Sequence, residues 1–420
     1  MFDQLKNGEK IRETVREAEQ LIRERTAQID EIVDYNTAKV LGAFQKNKVS
    51  DAHFNPSTGY GYDDLGRDTL ERIYADVFHA EAALVRPQII SGTHAISTCL
   101  FGVLRPGDEL LYITGKPYDT LEEIVGIRGS GVGSLKEYQI GYQSVALTEE
   151  GRIDFDAVAN AIKPATKMIG IQRSKGYDTR PSFTVAEIKE MIQFVKTIKP
   201  DVVVFVDNCY GEFVEEMEPT DVGADLMAGS LIKNPGGGLA KTGGYIAGRA
   251  DLVERCAFRL TSPGIGAEAG ASLYSLLEMY QGFFLAPHVV GQSLKGALFT
   301  AAMLELWGFN PTPSWKEPRT DLIQAVQFHD RDKMVAFCQE IQYASPVNSH
   351  VTPYPAYMPG YEDDVIMAAG TFIQGASIEL TADGPLRPPY TAFVQGGLTY
   401  SHVKIAVCRA IDRLIEKKMV

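Results

Sequence analysis

Apolar residues recur at two different spacings along the chain. Over residues 7–46 they come every three to four positions with charged residues between them, which predicts one long or two shorter exposed helices that form a solvated amphipathic arm. Over residues 69–249, runs that are apolar throughout, such as ELLYI, KMIGI and DVVVFVD, alternate with helical stretches such as TVAEIKEMIQFVKTI. This alternation indicates βαβ units and a mostly parallel sheet.

The pattern changes after about residue 300. The segment FNPTPSWKEPRTD predicts a link into a smaller α+β domain, which ends in the helical stretch SHVKIAVCRAIDRLIEKK. A length of 420 residues is also more than one typical domain needs. We therefore expect an α/β fold with an N-terminal helical arm (1–58), a large domain (59–300) and a small C-terminal domain (301–420).

Composition narrows the classes of protein that fit. A net charge of −13 argues against nucleic acid as the main partner, because phosphate binding needs a positive surface. The five cysteines form no C-x-x-C pair, so neither a disulfide framework nor a metal site is predicted. The N-terminus is charged, and no run of 18 apolar residues marks a membrane span. These features predict a cytoplasmic protein without membrane partners.

The stretch GSLIKNPGGGLAKTGGYIAG places two lysines, Lys233 and Lys241, among seven glycines. A phosphate-binding loop of the G-x-x-x-x-G-K-[ST] type is one interpretation, but Ala240 precedes Lys241 and the strand-loop-helix order is missing. A lysine that forms a Schiff base with a carbonyl cofactor is the other interpretation. That chemistry needs partners elsewhere in the chain.

Two other segments supply such partners. Asp207 stands at the carboxyl end of the strand DVVVFV. A strand-like QII leads into Ser91-Gly92-Thr93, which precedes a helical stretch whose N-terminus can bind a phosphate. Each is ambiguous alone, since an aspartate often caps a loop and S-G-T is an ordinary helix cap. Together with Lys233 they fit pyridoxal phosphate, whose ring nitrogen needs a carboxylate and whose carbonyl needs an amine.

In this order, SGTHAI, VFVDN and GSLIK resemble the signatures of fold-type-I pyridoxal-phosphate enzymes of the cysteine/methionine metabolism group. The chain is most similar to the methionine-γ-lyase-like, or aluminium-resistance, carbon–sulfur lyases, from about Gly59 to the end. The resemblance implies a transferase-like α/β fold, with a mostly parallel sheet of the seven-stranded type in the large domain.

The resemblance also implies roles for individual residues. Lys233 would be the Schiff-base lysine, and Asp207 would face the pyridine nitrogen. Gly92, Thr93 and Ser230 would hold the phosphate. Tyr118, in GKPYDT, would stack on the cofactor ring, although His94 competes for that face.

Three segments depart from the family pattern. In YDDLGRDT, Tyr62 matches a tyrosine that reaches the neighbouring subunit's phosphate, but Asp64 replaces the arginine, so Arg67 would take over its role. In QRSKGY, Gly176 replaces the expected asparagine. Near the C-terminus, Lys404 stands where an arginine binds the substrate carboxylate. Our preferred candidate for that contact is Arg387, which lies between prolines in the predicted polar loop TADGPLRPPY.

These features predict a lyase that acts on a sulfur-containing amino acid and releases a thiol or sulfide, a 2-oxo acid and ammonia. Two alternatives stay open: another pyridoxal-phosphate reaction, such as retro-aldol cleavage or amino-group transfer, and a cofactor-binding protein with little turnover. We expect a homo-oligomer, a dimer or homotetramer, whose active sites are shared between chains.

Overall fold

A computed structural model describes residues 2–358 and 361–420 of the chain. Its helices and strands follow each other in the alternating order that the apolar runs predict. The helices are α1 (Gly8–Leu21), α2 (Arg23–Lys46), α3 (Leu65–Val77), α4 (Gly92–Val103), α5 (Glu122–Val125), α6 (Phe155–Ala161), α7 (Val185–Ile198), α8 (Ala250–Leu260), α9 (Leu276–Leu306), α10 (Arg331–Tyr343) and α11 (Tyr400–Glu416). The strands are β1 (Ala82–Arg86), β2 (Glu109–Tyr112), β3 (Gly141–Ser144), β4 (Thr166–Gln172), β5 (Val203–Asp207), β6 (Leu226–Ser230), β7 (Gly244–Gly248), β8 (Asn310–Thr312), β9 (Gln324–Gln327), β10 (Val365–Ala368), β11 (Thr381–Pro385) and β12 (Thr391–Gln395).

The larger sheet contains seven strands among the described residues, in the order β1-β7-β6-β5-β4-β2-β3. In the part of the sheet ordered β6-β5-β4-β2-β3, all neighbouring strands are parallel. Strand β7 runs antiparallel to both of its neighbours, β6 and β1. The predicted mostly parallel α/β sheet is therefore confirmed. Because its central strands are covered on both faces by helices, they are apolar throughout, as in β5, where all five residues are buried.

The start of α7 shows how the local sequence sets a helix boundary. Thr184 and Glu187 form a capping box, in which each side chain binds the other residue's backbone N–H. Ile188, Met191 and Val195 then recur at helical spacing and are buried against the sheet. The cap begins the helix, and the apolar stripe fixes which face it buries.

The second sheet is antiparallel, with the order β10-β11-β12-β9-β8, and α10 and α11 pack together beside it. This arrangement matches the small α+β unit that the sequence predicts after residue 300. The helix α9 continues through residue 300 without a break, so the proposed boundary lies inside a helix. The division at 58/59 and 300/301 stays a prediction.

Three local expectations were wrong. The N-terminal helices are not a solvated arm, because Ile11, Val15 and Val40 are buried in the main core and α2 packs along α9. The strand-like QII before Ser91 lies beyond the end of β1 and forms no strand. The start of TADGPLRPPY is not a loop, because backbone pairing with β10 and β12 makes its first five residues the strand β11.

Candidate active site

The ends of β5 and β6 and the start of α4 surround one cavity. Its empty volume is about 420 Å³, including its opening to solvent. Its lining includes Gly92, Thr93, Tyr118, Asp207 and Lys233, five residues that the sequence placed in one site. Polar residues that follow parallel strands meet at the carboxyl edge of the sheet, which is where ligands bind in such folds.

Lys233 follows β6 by three residues and points into this cavity. Its Nζ lies 4.1 Å from the centroid of the Tyr210 ring. Burial lowers the pKa of the Lys233 amine, but Cys209, Tyr210 and Asp207 around it raise that pKa more, so the net direction is upward. Lys241 lies elsewhere, on the surface, where its Nζ pairs with Glu278 at 2.7 Å. Of the two lysines in the glycine-rich stretch, only Lys233 lines the cavity.

Asp207 is the last residue of β5, and only 6% of it is exposed. A carboxylate oxygen accepts the backbone N–H of Cys209 at 3.1 Å. Burial raises the pKa of Asp207, while Lys233 and the Cys209 N–H oppose that shift. A buried carboxyl group and a partly buried amine thus face the same cavity, and each influences the pKa of the other.

The N-terminus of α4 forms a cradle on the same cavity. Ser91 caps the helix by accepting the backbone N–H of His94 at 3.0 Å. A Cβ atom at Gly92 would lie 3.1 Å from Cys209 Sγ and 3.3 Å from Ser230 Cβ, so only glycine leaves this space open. The first N–H groups of α4 have no partners within the helix and can bind an anion here.

Of the other residues predicted near the phosphate, Thr93 and Ser230 lie beside the cradle and His94 turns away from it. The Thr93 hydroxyl lies 3.0 Å from that of Thr120 and lines the cavity. Ser230, at the end of β6, is buried beside Gly92. The His94 ring turns instead to the backbone N–H of Ile90, which donates to Nδ1 at 3.3 Å. Tyr118 lines the cavity and His94 does not, among the described residues, and the stacking of Tyr118 on a cofactor ring stays a prediction.

Tyr118 separates this inner cavity from a larger outer cavity. The outer cavity has an empty volume of about 1530 Å³, including open solvent, and its lining carries charges of both signs. Arg387 lines it, half-exposed, with its guanidinium 3.1 Å from Asp363. Lys175 lines it as well, and burial lowers the pKa of this lysine to about 8.

Several lining residues were missed by sequence reasoning. Gln172 ends β4 and lines both cavities, and its buried Oε1 has no hydrogen-bond partner among the described residues. Tyr210 follows β5 by three residues. Both positions lie at or near the carboxyl end of a parallel strand, a signal that sequence reasoning used only for Asp207. Tyr177 and Tyr361 gave no such signal.

Lys404 lies away from both cavities. It lies on α11, where its Nζ pairs with Glu19 of α1 at 2.7 Å. Neither residue lines the inner or the outer cavity within the described part of the chain. In this structure Lys404 therefore makes a contact between two helices, and its role at the substrate carboxylate stays a prediction.

Tyr62 and Arg67 do not line the cavity of their own chain. Tyr62 is 54% exposed and stacks on Tyr60, with ring centroids 5.4 Å apart. Arg67 is buried, and its guanidinium donates to backbone carbonyl oxygens of Gly61, Gly270 and Glu268. A role for either residue at a neighbouring subunit's phosphate stays a prediction.

Asp64, which replaces the family's arginine, has a structural role. It is the N-cap of α3, and its carboxylate accepts the backbone N–H of Arg67 at 2.9 Å. It also accepts the hydroxyl of Ser57. The departure from the family pattern therefore supplies a helix cap.

Two further searches of residues 2–358 and 361–420 bear on possible partners. No cluster of three or more histidine, cysteine or acidic side chains in this part of the chain is arranged to hold a metal ion. No described helix combines the length and the apolar character that crossing a membrane requires.

The sheet, the cavity at its carboxyl edge and the Lys233–Asp207 pair define a fold-type-I enzyme of the pyridoxal-phosphate-dependent class. The model of the methionine gamma-lyase family matches residues 11–415. The chain belongs to the methionine gamma-lyase family.

Individual relatives are similar over nearly the whole chain. Protein YnbB of Bacillus subtilis is 72% identical over 421 residues, which cover 100% of both chains. The structure of a carbon-sulfur lyase involved in aluminum resistance from Clostridium novyi has a TM-score of 0.93 at 47% identity, over 97% of this chain and 96% of that one. The pyridoxal-5'-phosphate-dependent protein YhfS from Escherichia coli has a TM-score of 0.61 at 16% identity, over 91% and 96% of the two chains, which shows a shared fold.

Proposed function

We propose that the chain is a pyridoxal-phosphate-dependent carbon–sulfur lyase that acts on a sulfur-containing amino acid. The products would be a thiol or sulfide, a 2-oxo acid and ammonia. The observation that carries this proposal is the inner cavity itself, where a lysine, a buried carboxylate and an open helix N-terminus meet.

The residues present fit pyridoxal phosphate. The Gly92 cradle leaves room for a phosphate at the N-terminus of α4, beside the hydroxyls of Thr93 and Ser230. Asp207 supplies the negative charge that a protonated pyridine nitrogen needs, and Lys233 supplies the amine that binds the carbonyl. When bound, this cofactor accepts the electron pair left on the substrate's α-carbon after proton removal.

The protein's own groups would then bind the substrate and move protons. The amine of Lys233 accepts the proton of the substrate's α-carbon and returns it later in the reaction. The Tyr118 ring covers the mouth of the inner cavity and excludes water from it. Arg387 binds the substrate carboxylate by exchanging its contact with Asp363, because a guanidinium can hold a carboxylate through two hydrogen bonds.

The cellular setting that we propose is the cytoplasm. All five cysteines are buried as free thiols, which suits a reducing compartment. We further propose that the chain assembles as a homo-oligomer.

The experiment is to reduce the purified, cofactor-loaded protein with borohydride and to map the labelled peptide. We expect a yellow protein whose reduced cofactor is on Lys233. Lys233→Ala should abolish the label, whereas Lys241→Ala is the matched control and should retain it, since Lys241 pairs with Glu278 on the surface. A label on Lys241 would contradict the proposal.

The reaction itself is tested with a panel of amino acids. Release of a thiol or sulfide with a 2-oxo acid supports the lyase. An aldehyde product would indicate retro-aldol cleavage, and transfer of the amino group to a second oxo acid would indicate an aminotransferase. A protein that binds the cofactor but turns over no member of the panel would favour the binding role.

A further inference from the structure

Tyr118 has an unusual partner. Its hydroxyl lies 2.8 Å from the hydroxyl of Tyr361, a residue 243 positions further along the chain. Tyr361 precedes β10 and therefore comes from the C-terminal part of the protein, whereas Tyr118 belongs to the large sheet's side of the site. The two hydroxyls form a hydrogen bond between the two halves of the molecule.

Packing holds both tyrosines in place. Gly176 lies against the Tyr118 ring so closely that a Cβ atom there would be 2.8 Å from it. Tyr361 packs on Tyr177 with ring centroids 5.6 Å apart, and Tyr177 packs on Phe393 of β12 at 5.1 Å. The position of the Tyr361 hydroxyl is thus set by the small sheet.

The pair also connects the two cavities. Tyr361 lines the outer cavity, Tyr118 lines both, and Lys233 lines the inner one. A proton that moves from Tyr361 to Tyr118 therefore moves from the larger, solvent-containing cavity toward the reacting atoms. Hydroxyl groups suit such a relay because each can donate and accept at once.

We propose that Tyr361 is a positioning residue that orients the Tyr118 hydroxyl and passes it the proton that the departing sulfur takes up. This inference rests on the proposed lyase function. As the carbon–sulfur bond breaks, both of its electrons leave with sulfur, and the Tyr118 O–H proton forms the S–H bond. The Tyr118 oxygen takes the Tyr361 proton, and Tyr361 takes one from solvent in the outer cavity.

Kinetics of the holoenzyme test the role of the pair. Tyr361→Phe removes only the hydroxyl oxygen, so kcat for thiol release should fall roughly tenfold, as for loss of one well-placed hydrogen bond, with KM changed less than about twofold. In the Tyr118→Phe/Tyr361→Phe double variant the loss should not exceed that of Tyr118→Phe alone, because coupled residues are not additive. The control is Tyr357→Phe, at a tyrosine that is 77% exposed, and it should retain wild-type kcat.

A spectroscopic readout tests the contact without turnover. In cofactor-free protein labelled with 3-fluorotyrosine, one ¹⁹F resonance disappears in Tyr118→Phe. That resonance should shift in Tyr361→Phe and stay in place in Tyr357→Phe.

The two measurements separate the possible failures. An unshifted Tyr118 resonance, or additive losses in the double variant, would overturn the role of Tyr361 even in an active lyase. A wild-type holoenzyme that releases no thiol from any substrate would overturn the proposed function and the proton role with it, whatever the fluorine spectrum shows.

Discussion

A glycine takes the position of an asparagine at the mouth of the inner cavity. Gly176 has a φ of +59°, a conformation that side chains disfavour, and its missing Cβ makes room for the Tyr118 ring. A side chain at position 176 would therefore have to displace the Tyr118 ring. The glycine that departs from the family pattern leaves the space that this ring occupies.

Gly176→Ala tests this contact. The new methyl group adds the backbone cost of about 1–2 kcal/mol for a left-handed residue and must also displace the Tyr118 ring, which overpacks the site by about 1–3 kcal/mol. Gly115→Ala is the matched control, because Gly115 has a φ of +85° with nothing within 4 Å of its Cβ position. Urea unfolding should show a larger loss for Gly176→Ala, and equal losses would contradict the contact.

Asp383 makes stability depend on pH. It is buried in β11, where Gln395 Nε2 donates to its two carboxylate oxygens at 3.2 and 3.1 Å. Burial raises the pKa of Asp383, and hydrogen bonds from Tyr177 and Gln395 lower it by less, so that the net pKa is about 7. An unfolded aspartate has a pKa of about 3.9. Between these values the folded state holds one more proton, so this carboxyl group lowers the free energy of unfolding progressively as pH rises toward 7.

Asp383→Asn should remove that dependence. Relative to the wild type, the variant should gain about 2–3 kcal/mol in free energy of unfolding between pH 5 and pH 8, because about two units of the pKa shift lie in this window. Denaturant titrations at the two pH values measure this difference, in which all other titrating groups cancel. If the variant and the wild type differed in free energy of unfolding by the same amount at both pH values, the raised pKa of Asp383 would be contradicted.

At the scale of single residues, the sequence predicted those site residues that lie at the ends of strands or at the start of a helix. Lys233, Asp207 and Gly92 each stand next to a β-strand or helix boundary that the apolar pattern marks, so their meeting at one sheet edge could be predicted. Tyr361 could not be, because only the folding of the small sheet brings it to Tyr118. The pairing of Lys404 with Glu19 of α1 could not be predicted either, because these two residues are 385 positions apart.

Secondary-structure elements were predictable where burial made them apolar throughout. The strands β2, β4 and β5 and the helix α7 follow directly from their apolar patterns. The strand β11 carries Asp, Gly and Pro, which strands disfavour, and it forms because β10 and β12 pair with it. The burial of α1 and α2 likewise depends on α9, a partner distant in sequence.

Helix α3 is tied to a distant loop by Arg67. The guanidinium donates to the carbonyl oxygens of Gly270 at 3.1 Å and Glu268 at 3.4 Å, and it pairs with Asp68 at 2.8 Å. These contacts favour a structural role over the cofactor-binding role expected from sequence. Arg67→Met should lower the free energy of unfolding by about 2–4 kcal/mol, because buried carbonyls lose their donors.

Arg72→Met is the control for this prediction, since Arg72 lies exposed on the same helix. Thermal or urea unfolding of the cofactor-free variants separates stability from cofactor binding. If Arg67→Met kept its stability but lost cofactor more readily in the loaded protein, the result would support the role of Arg67 at the cofactor phosphate of a neighbouring subunit.

At the scale of the whole molecule, two hydrogen-bonded loops expose an apolar surface. The exposed fractions are 73% for Tyr60, 54% for Tyr62, 53% for Leu273 and 81% for Tyr274, and we call these four residues the tyrosine patch. Backbone bonds hold the loops together, from the Gly270 N–H to the Tyr60 carbonyl and from the Leu273 N–H to the Ser57 carbonyl. Large aromatic side chains held rigidly in water are typical of interaction surfaces.

We predict that a second copy of the chain covers the tyrosine patch. Burying four large apolar side chains stabilises an interface, and a charge placed among them costs much of that gain, because an unpaired carboxylate would lose its hydration. Wild-type protein at micromolar concentration should therefore scatter light as a dimer or larger, and Tyr274→Asp should shift it toward monomer. Tyr354→Asp changes a tyrosine that is 70% exposed outside the patch and should leave the mass unchanged. A wild-type monomer that retains its cofactor would contradict both the interface and the sharing of active sites between chains.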